Sequence, residues 1–551
     1  MEKWMERYEA WLQDPGISPE DKEALRAYGE KEIRERFHEE LAFGTAGIRG
    51  VRGLGTAVIN SYLIRRVTQG YYDYLLNLQP DARERGVAIA YDSRHMSKDF
   101  ALEAAMVFSG NGIRVYFYDR IRSTPELSFA IRHLKALGGL VLTASHNPPE
   151  YNGYKAYNET GCQLSTEETA ALTARIDAIP DFASVKLDSQ LSTLVSIGDE
   201  VEDVYVQKIL DLSLEPFNPA LKIAYSPLFG VGLKPVERIF RTLGADYVLV
   251  QEQSIPDGDF PTARKPNPEE QEALVRLVEE GRKAGADLLL ATDPDADRLG
   301  VMALDQGEYR YLSGNQIGAL LIDYILSHKS VIRGRSHILT SIVTSNFGKT
   351  VGESYGAETT FTFTGFKNLG KKMEELLLAG DEVFFVYEES IGYLAEDFIR
   401  DKDGISAAFL VAEMAGFLKR QGKTLADRLR ELYQAFGYFT EKQISIVIPG
   451  VEGTAKIRGI MKDLRDNGPG DFGSLFQLAS ATDYGATPLD GETTDLLYYA
   501  FADGSWAGVR PSGTEPKLKL YINVTDPGEE MALKKADALE AWFRQRISAW
   551  V

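Results

Sequence analysis

The chain has 551 residues, which at about 150 residues per domain predicts three or four domains. Hydrophobic residues make up 44% and charged residues 26%, which is typical of a globular protein with a large core and excludes a mainly disordered one. The 81 acidic residues exceed the 61 basic ones, and a net charge of −20 makes nonspecific nucleic-acid binding unfavourable. A small phosphorylated substrate is compatible with this charge, because a cleft can be locally cationic.

Membrane and disulfide features are absent from the sequence. It has no stretch of about 18 apolar residues, so we expect no membrane span. The charged residues 1–14 lack the apolar core of a signal peptide. Cys162 is the single cysteine and forms no internal disulfide, which predicts a cytoplasmic protein. We expect a monomer or a small homo-oligomer.

The first 40 residues have the pattern of two amphipathic helices. Trp4, Tyr8, Trp11 and Leu12 recur at helical spacing. The segment Ser18-Pro19-Glu20-Asp21 is typical of a helix start, with serine as the N-cap and proline at the first helical position.

Short apolar runs then alternate with helical patterns, which is typical of βαβ units in a mostly parallel sheet covered on both faces. Three sets of runs follow one another, each over roughly 100 residues, the size of a domain. The runs are 86–92, 113–119 and 138–145, then 221–228, 246–253 and 287–293, then 337–345, 358–366 and 382–390. We therefore predict three successive α/β domains with mixed sheets.

The C-terminal part has a different pattern and predicts a smaller α+β domain. An apolar run at 443–450 precedes a helical segment at 453–467, a strand-rich stretch from Leu496 to Val524 and a terminal helix. The predicted domains are residues 1–205, 206–312, 313–440 and 441–551.

Residues 143–149, Thr-Ala-Ser-His-Asn-Pro-Pro, form a serine loop at the end of a buried-strand pattern. A serine at the carboxyl end of such a strand projects its hydroxyl into the crevice where α/β sheets bind ligands. Ser145 is therefore a candidate nucleophile, and the neighbouring His146 could transfer protons. An ordinary polar turn is the alternative, because serine, asparagine and proline are frequent in turns.

Asp293, Asp295 and Asp297 occupy every second position of an acidic loop, residues 293–298, that directly follows another apolar run. Carboxylates this close together repel one another unless a cation lies between them. Mg²⁺ fits, since it prefers carboxylate oxygens and keeps positions open for phosphate. The loop lacks the glycine and the terminal glutamate of an EF-hand, which disfavours calcium in that motif. A solvated acidic turn is the weaker alternative.

Residues 510–516, Arg-Pro-Ser-Gly-Thr-Glu-Pro, have the composition of a phosphate cradle. The segment combines a guanidinium, two hydroxyls and a glycine whose neighbouring backbone N–H groups can approach an anion closely. The candidate ligands are Arg510, Ser512, Gly513 and Thr514, with Lys519 on the following strand. A β-turn with a surface arginine is an equally good interpretation of this fragment alone.

A carboxylate and a hydroxyl two residues apart, Glu388 and Ser390, end the run at 382–390. On an extended strand they share one face and can hydrogen-bond adjacent sugar hydroxyls. A surface strand end is the alternative. The segment Asp401-Lys402-Asp403-Gly404 is a weaker motif, from which Lys402 is a further candidate ligand.

The serine loop, the acidic loop, the Glu388 motif and the phosphate cradle follow one another, one in each predicted domain. Together with residues 44–50, Gly-Thr-Ala-Gly-Ile-Arg-Gly, they resemble the α-D-phosphohexomutase superfamily, which includes phosphoglucomutases and phosphomannomutases. The resemblance covers nearly the whole chain. It implies four domains around a central cleft.

The resemblance also implies a role for each motif. Ser145 would be the phosphorylated residue, and its phosphate would join the acidic loop in holding Mg²⁺. The catalytic residues would be Ser145, His146, Arg49 and Lys155, and the metal ligands Ser145, Asp293, Asp295 and Asp297. The substrate would be held by Gly365, Glu388, Ser390, Lys402, Arg510, Ser512, Gly513, Thr514 and Lys519.

The implied reaction interconverts glucose 1-phosphate and glucose 6-phosphate. Phosphoserine would donate to the 6-hydroxyl, and the resulting glucose 1,6-bisphosphate, which is intermediate and activator, would turn end for end before its 1-phosphate returns to Ser145. A site that binds the sugar both ways round needs ligands for features common to both orientations. Glu388 and Ser390 would therefore hold the adjacent 3- and 4-hydroxyls.

Tyr387 departs from the family pattern, because many relatives have glycine directly before the Glu-Glu-Ser motif. This form, with Gly-Phe-Lys-Asn-Leu-Gly at 365–370, is similar to the branch that contains bacterial phosphoglucomutases and animal phosphopentomutase-like enzymes. Ser390 keeps a hydroxyl where pentose-preferring relatives tend to have alanine, which favours a hexose. Phosphomannomutase and phosphopentomutase activities stay open as alternatives.

Two rival functions remain. A Mg²⁺-dependent sugar phosphatase with an aspartate nucleophile in the acidic loop would leave the serine loop and the phosphate cradle without roles. A sugar-phosphate sensor on the same fold would need no nucleophile. Release of inorganic phosphate would identify the phosphatase.

Overall fold

The computed structural model describes residues 2–44, 47–79, 81–329, 335–448, 453–468, 470–511 and 517–548. Three mixed sheets with their helices are followed by an antiparallel sheet, which confirms the predicted class of three α/β domains and a smaller C-terminal α+β domain. No helix in these ranges is both long and apolar enough to cross a membrane. The domain boundaries near 205, 312 and 440 stay predictions.

Three short helices, and not the predicted two, precede the first sheet. They are α1 (Lys3–Gln13), α2 (Pro19–Arg26) and α3 (Glu30–Phe37). The Ser18 cap is confirmed, because its Oγ accepts a hydrogen bond from the Asp21 N–H at 3.1 Å. The additional break occurs at Gly29, an extended N-cap residue of a type that is disfavoured inside helices.

The first sheet has six strands in the order β1-β5-β4-β2-β3-β6. Its strands are β1 (Ile48–Val51), β2 (Val87–Tyr91), β3 (Val115–Tyr118), β4 (Gly138–Leu142), β5 (Tyr151–Asn158) and β6 (Leu194–Ile197). The helices are α4 (Ser61–Leu78), α5 (Ala82–Arg85), α6 (Ser97–Gly110), α7 (Thr124–His133), α8 (Thr166–Asp177) and α9 (Asp199–Leu210), with a 3₁₀ helix at Phe182–Ser184. Strand β5 runs antiparallel between β4 and β1.

The second sheet has the order β11-β10-β9-β7-β8. Its strands are β7 (Lys222–Ser226), β8 (Asp246–Leu249), β9 (Leu288–Thr292), β10 (Leu299–Asp305) and β11 (Glu308–Leu312), with helices α10 (Leu233–Leu243) and α11 (Gln271–Ala284). The strand predicted at 246–253 ends at Leu249, because Gln251–Gln253 forms a 3₁₀ helix.

The third sheet has the order β13-β12-β14-β15. Its strands are β12 (Ser336–Ser341), β13 (Glu358–Thr362), β14 (Glu382–Glu388) and β15 (Gly392–Leu394). The helices are α12 (Gly314–Ser327), α13 (Asn346–Ser354), α14 (Phe366–Leu378), α15 (Gly404–Arg420) and α16 (Leu425–Phe436). The runs predicted at 337–345 and 358–366 are shorter as strands, since each ends in a turn that leads into a helix.

The last sheet is antiparallel throughout, in the order β16-β20-β19-β18-β17. Its strands are β16 (Tyr438–Val447), β17 (Leu478–Asp483), β18 (Leu497–Phe501), β19 (Trp506–Pro511) and β20 (Lys517–Asp526), with helices α17 (Gly453–Asp466) and α18 (Glu529–Ser548).

One continuous apolar core joins the first three domains, from Ala88 on β2 to Phe439 on β16. The C-terminal domain has a separate core. It meets the third domain through a smaller cluster that includes Phe363, Trp506 and Tyr521. The first three domains therefore share one packed body, to which the fourth is joined by a smaller contact.

The predicted motifs lie at the carboxyl ends of buried strands. β4 leads into the serine loop, β9 leads into the acidic loop, and β14 ends at Glu388. In open α/β sheets this edge is where ligands bind.

The N-terminal helices dock on the first domain through aromatic rings. Phe37 is fully buried, with its ring centroid 5.4 Å from Tyr8 and 5.6 Å from Trp11 in edge-to-face geometry. We expect Phe37→Ala to destabilise this docking by about 3–5 kcal/mol, because truncation leaves a cavity. Faster amide hydrogen exchange in α1, α2 and α3, with unchanged exchange in α18, is the expected result. Met5→Ala, at an exposed position, is the control, and equal exchange in both variants would contradict the prediction.

Candidate active site

The serine loop and the acidic loop meet across the first two domains. Ser145 Oγ donates a hydrogen bond to Asp293 Oδ2 at 2.7 Å and lies 3.1 Å from His146 Nδ1. Ser145 is 2% exposed, and Asp293 is fully buried. Two motifs that are 148 residues apart in sequence therefore form one site.

Ser145 has a left-handed backbone conformation, with φ of +51°. This conformation is unfavourable for any residue other than glycine and occurs where a structure over-determines it, often at functional sites. The Ser145 N–H donates to Thr143 Oγ1 at 2.8 Å, and its carbonyl accepts a hydrogen bond from Arg94 at 2.6 Å. The turn thereby presents the hydroxyl to the acidic loop.

The three aspartates form one buried cluster whose carboxylate oxygens lie within 4.8 Å of one another. Burial, together with the negative charges of Asp295 and Asp297, raises the pKa of Asp293 well above its usual range. Lys155 Nζ donates to Asp295 at 2.7 Å and to Asp297 at 3.3 Å. Although burial alone would raise the pKa of Asp295, the ammonium group of Lys155 lowers it.

Two carboxylate oxygens of this cluster fit a divalent cation. Oδ1 of Asp295 and Oδ1 of Asp297 are buried without a hydrogen-bond partner in the described part of the chain. Leaving such atoms without a partner is costly, and a hard cation with oxygen ligands would satisfy both. The donor set, three carboxylates and a serine oxygen, suits magnesium, manganese or calcium better than soft metals.

Two further residues support the acidic loop and were not predicted. Thr124 Oγ1 at the start of α7 donates to Asp295 Oδ2 at 2.8 Å. Arg298 pairs with Glu269 at 3.1 Å, and its backbone N–H donates to Asp293 Oδ1 at 3.0 Å. In the sequence, Thr124 belongs to a helix-capping motif, which carries no sign of this contact. Arg298 is the last residue of the acidic loop, residues 293–298, and its place there was the signal by which the sequence could have identified it.

Arg49 and Lys402 bring positive charge to the two loops. Arg49 on β1 donates through Nη1 to Asn147 Oδ1 of the serine loop at 2.7 Å. Lys402 Nζ lies 2.9 Å from Asp297 Oδ2 and 3.3 Å from Asp401 Oδ1. Lys402, a predicted substrate ligand, therefore lies directly against the acidic loop.

His146 is suited to accept a proton. Burial, together with the positive charges of Arg298 and Arg49, lowers the pKa of its imidazole well below the usual range. The ring is therefore neutral near pH 7, the form with a free nitrogen lone pair. Its Nδ1 faces Ser145 Oγ.

Gly365 and Glu388 lie together at the third domain's edge of the cleft. Gly365 has φ of +108°, a conformation that favours glycine, and its N–H donates to Glu388 Oε1 at 2.7 Å. Burial, together with the charge of Glu389, raises the pKa of Glu388 to about 7. Ser390, two residues further on, is half-buried.

The side chain of Tyr387 does not enter this cleft. It is fully buried, and its ring occupies the space beside Gly318 on α12 and Gly348 on α13, where a Cβ would overlap it. Alternation along β14 places Tyr387 on the opposite face from Glu388. The departure from the family pattern at Tyr387 is therefore a difference in core packing.

The phosphate cradle is described in part. Arg510 on β19 donates through Nη1 to Thr364 Oγ1 at 2.6 Å, and it lies opposite Lys519 on β20. Thr364 precedes Gly365, so the fourth domain reaches the substrate-facing loop of the third. Ser512, Gly513 and Thr514 lie outside the described residues.

Four family models match the chain in succession. They are described as phosphoglucomutase/phosphomannomutase, alpha/beta/alpha domain I at residues 40–182, domain II at 203–306, domain III at 313–436 and the C-terminal domain at 452–540. A phosphoglucomutase from Staphylococcus epidermidis is 36% identical over 526 residues, covering 92% of this chain and 95% of that relative.

Solved structures share the fold at lower identity. The open form of parafusin, a phosphoglucomutase from Paramecium, has a TM-score of 0.73 at 20% identity, covering 93% of this chain and 95% of that one. N-acetylphosphoglucosamine mutase from Aspergillus fumigatus, solved with GlcNAc-6P and magnesium, has a TM-score of 0.52 at 14% identity, covering 96% of this chain and 100% of that one.

Proposed function

The chain belongs to the phosphoglucomutase/phosphomannomutase family, and from this membership we propose how its site carries out the reaction. The enzyme is an isomerase that interconverts glucose 1-phosphate and glucose 6-phosphate. The observation that carries our proposal is the contact of Ser145 Oγ with Asp293 at the junction of two domains. A phosphoryl group on this oxygen would lie between the acidic loop and the cations of the first domain.

Ser145 is proposed as the phosphoryl carrier. Its phosphate passes to the 6-hydroxyl of glucose 1-phosphate, and the P–O bond to Ser145 breaks as the bond to the sugar oxygen forms. After the glucose 1,6-bisphosphate turns round, the 1-phosphate returns to Ser145 and glucose 6-phosphate leaves. Covalent catalysis of this kind divides one transfer between two sugar positions into two similar steps.

The chain supplies charge neutralisation and a proton acceptor for both steps. Lys155 stays cationic beside Asp295, because the neighbouring carboxylates raise its pKa although burial alone would lower it. Arg49, with its contact to Asn147, can present a planar guanidinium to the phosphoryl oxygens. Neutral His146 can take the proton of the attacking hydroxyl. Phosphoryl transfer depends mostly on such positioning and neutralisation.

The proposed metal is Mg²⁺, held by Asp293, Asp295 and Asp297 together with the oxygens on Ser145. When bound, it supplies positive charge that stabilises the oxygens of the transferring group. The buried Oδ1 atoms of Asp295 and Asp297 support this assignment, since they have no hydrogen-bond partner in the described residues.

We propose Glu388 and Ser390 as ligands of the sugar 3- and 4-hydroxyls, with Gly365 and Lys402 beside them. The non-reacting phosphate would bind the cradle, for which the described contact of Arg510 with Thr364 gives a position next to these ligands. Ser512, Gly513, Thr514 and Lys519 are proposed as its remaining ligands from the sequence alone. The cradle belongs to the domain with the smaller contact, which suits a part that opens when the bisphosphate turns.

A cytoplasmic location and the absence of nucleic-acid partners are also proposed. Cys162 is buried with its thiol donating to the Lys367 carbonyl at 3.4 Å, and burial raises its pKa. A protonated, enclosed thiol is unreactive, so the proposed location rests on the single cysteine of the sequence. The net charge of −20 supports the absence of nucleic-acid partners, because it repels polyanions.

Ser145→Ala tests the phosphoryl carrier. We expect turnover to fall at least about a thousandfold while the protein stays folded, because both steps use this oxygen. Intact-mass spectrometry should show a phosphate on the parental protein that the variant lacks. Ser109→Ala, another buried serine of the first domain, is the matched control and should retain activity. Near-normal turnover of Ser145→Ala, or release of inorganic phosphate as the main product, would reject the mechanism.

Asp295→Asn tests the metal site. We expect weaker Mg²⁺ binding by calorimetry and a sharply higher Mg²⁺ requirement for turnover, because one charge and one ligand are weakened together. The control is Asp259→Asn, in a second, more exposed group of potential ligands with His95 and Asp257. Unchanged activity of the parental protein in EDTA, or equal effects of both substitutions, would contradict the assignment.

Arg510→Ala tests the cradle. Charge-assisted hydrogen bonds contribute roughly 1.5–3 kcal/mol each, so we expect kcat/KM to fall about tenfold to a few hundredfold. The loss should be seen mainly as a higher KM for glucose 1-phosphate. Arg544→Ala, which removes a surface arginine of the same domain, is the control. A parental KM in Arg510→Ala would place the second phosphate elsewhere.

A further inference from the structure

Arg94 is a buried arginine that the mechanism above leaves without a role. It lies three residues after the end of β2, and its side chain is 0% exposed. Its Nε lies 3.4 Å from Asp92 Oδ2, so the charge has a buried counterion. An arginine is seldom fully buried unless its donors are used.

The donors of Arg94 are directed at the serine loop. They bond to the backbone carbonyls of Ser145 at 2.6 Å, Pro148 at 2.9 Å and Tyr151 at 3.3 Å, and also to that of Asn147. One guanidinium thus holds three carbonyls of the serine loop and that of the first residue of β5. Buried carbonyls need donors, and the rigid, five-donor guanidinium can serve several of them at once.

The loop needs this restraint because Ser145 is left-handed. Without a bond to its carbonyl, relaxation of φ from +51° would turn the hydroxyl away from Asp293. The position of Ser145 Oγ therefore depends on the hydrogen bond that Arg94 donates to the Ser145 carbonyl.

The second domain holds the same arginine. The guanidinium of Arg94 lies 4.8 Å from the ring centroid of Phe260, which is fully buried. The adjoining backbone also approaches closely, since a Cβ on Gly258 would lie 2.6 Å from the backbone N of His95. Arg94 is thus fixed against the domain that carries the acidic loop.

We propose that Arg94 is a positioning residue for phosphoryl transfer, which holds the Ser145 turn in its left-handed form and in register with the acidic loop of the second domain. This inference rests on the proposed role of Ser145. Arg94 is enclosed and contacts backbone only in the loop, so it does not bind the sugar phosphate. Its loss should lower kcat and leave KM unchanged, because the ligands of the sugar and of the second phosphate lie in the third and fourth domains.

Arg94→Lys is the direct test. Lysine keeps the charge opposite Asp92, but its single ammonium group cannot reach four carbonyls. We expect kcat to fall about a hundredfold, as for a displacement of the reacting group by about 1 Å, with KM changed less than about threefold. The isolated phosphoenzyme should transfer to glucose 1-phosphate more slowly by the same factor in a single turnover. Arg65→Lys, which alters the ion pair with Glu103 in the same domain, is the matched control with parental kcat.

Phe260→Leu is the second variant, which removes the ring beneath the guanidinium and keeps an apolar side chain. We expect kcat to fall about threefold to thirtyfold at constant KM, the range of one cation–π contact. If Arg94→Lys does not fold, the kcat and KM of Phe260→Leu test the inference instead. A parental kcat in the folded variant, or a loss confined to KM, would overturn the inference.

Mass analysis of the parental protein separates this inference from the proposed function. If phosphate is found on Ser145 and Arg94→Lys transfers it at the parental rate, only the role of Arg94 is wrong. If the parental protein turns over without ever carrying phosphate on Ser145, the proposed mechanism and the inference are both overturned.

Discussion

Three buried carboxylates within 4.8 Å of one another are the constraint on which the arrangement of the site depends. Buried charges without partners are strongly destabilising, so the surrounding chain must provide cations and donors at fixed positions. They come from other domains. Lys155 and Thr124 of the first domain bond to Asp295, and Lys402 of the third domain pairs with Asp297. The acidic loop therefore joins three domains as well as forming the proposed metal site.

This constraint explains why the first three domains share a continuous core while the fourth does not. Small relative movements of the first three would leave charges without partners, so a rigid body is favoured. The fourth domain contributes a guanidinium, from Arg510, that meets a hydroxyl, Thr364, at the edge of the cleft. The fourth domain also meets the third through a small apolar cluster and the hydrogen bond from Asn523 to Ser345 at 2.8 Å. Contacts of this size are more readily broken and remade than a shared core, as release of a turning intermediate requires.

The sequence predicted the strands that lead into the motifs of the first three domains, because apolar runs followed by polar turns are local signals. Other strands lie outside the predicted runs, and these are β1, β6, β10, β11 and β15. Strand β5 was missed, since the segment after the serine loop is rich in proline, glycine and asparagine and has the composition of a turn. In the fold it runs antiparallel beside β4, with Lys155 opposite Val141. Arg94 was missed for another reason. Its partners on the serine loop lie 51–54 residues away, and no local pattern encodes such pairing.

Tyr387 shows a limit of motif comparison. It departs from the family pattern directly before the Glu-Glu-Ser motif, and its side chain fills space left by two glycines on α12 and α13. Adjacent residues on a strand face opposite sides, so closeness in sequence to a functional residue is weak evidence of a shared role. The motifs were recognised as a group only because several loops, each ambiguous alone, occurred in one order.

The loops that follow β4, β9 and β14 have one backbone feature in common. Each contains a left-handed residue other than glycine, and these are Ser145, Ala296 and Ile391, with φ of +51°, +55° and +54°. The backbone carbonyl of each of these residues accepts a hydrogen bond from outside its loop. Arg94 donates to Ser145, the Gly404 N–H donates to Ala296 at 3.0 Å, and the Leu299 N–H donates to Ile391 at 3.1 Å. The hydrogen bonds of Gly404 and Leu299 each join the second and third domains. Arg94 packs on the ring of Phe260 in the second domain. In each loop, a contact with a neighbouring domain therefore supports the unfavourable conformation. The geometry of the site is thus a property of the assembled domains, which explains why its residues are distributed over several of them and not gathered on one.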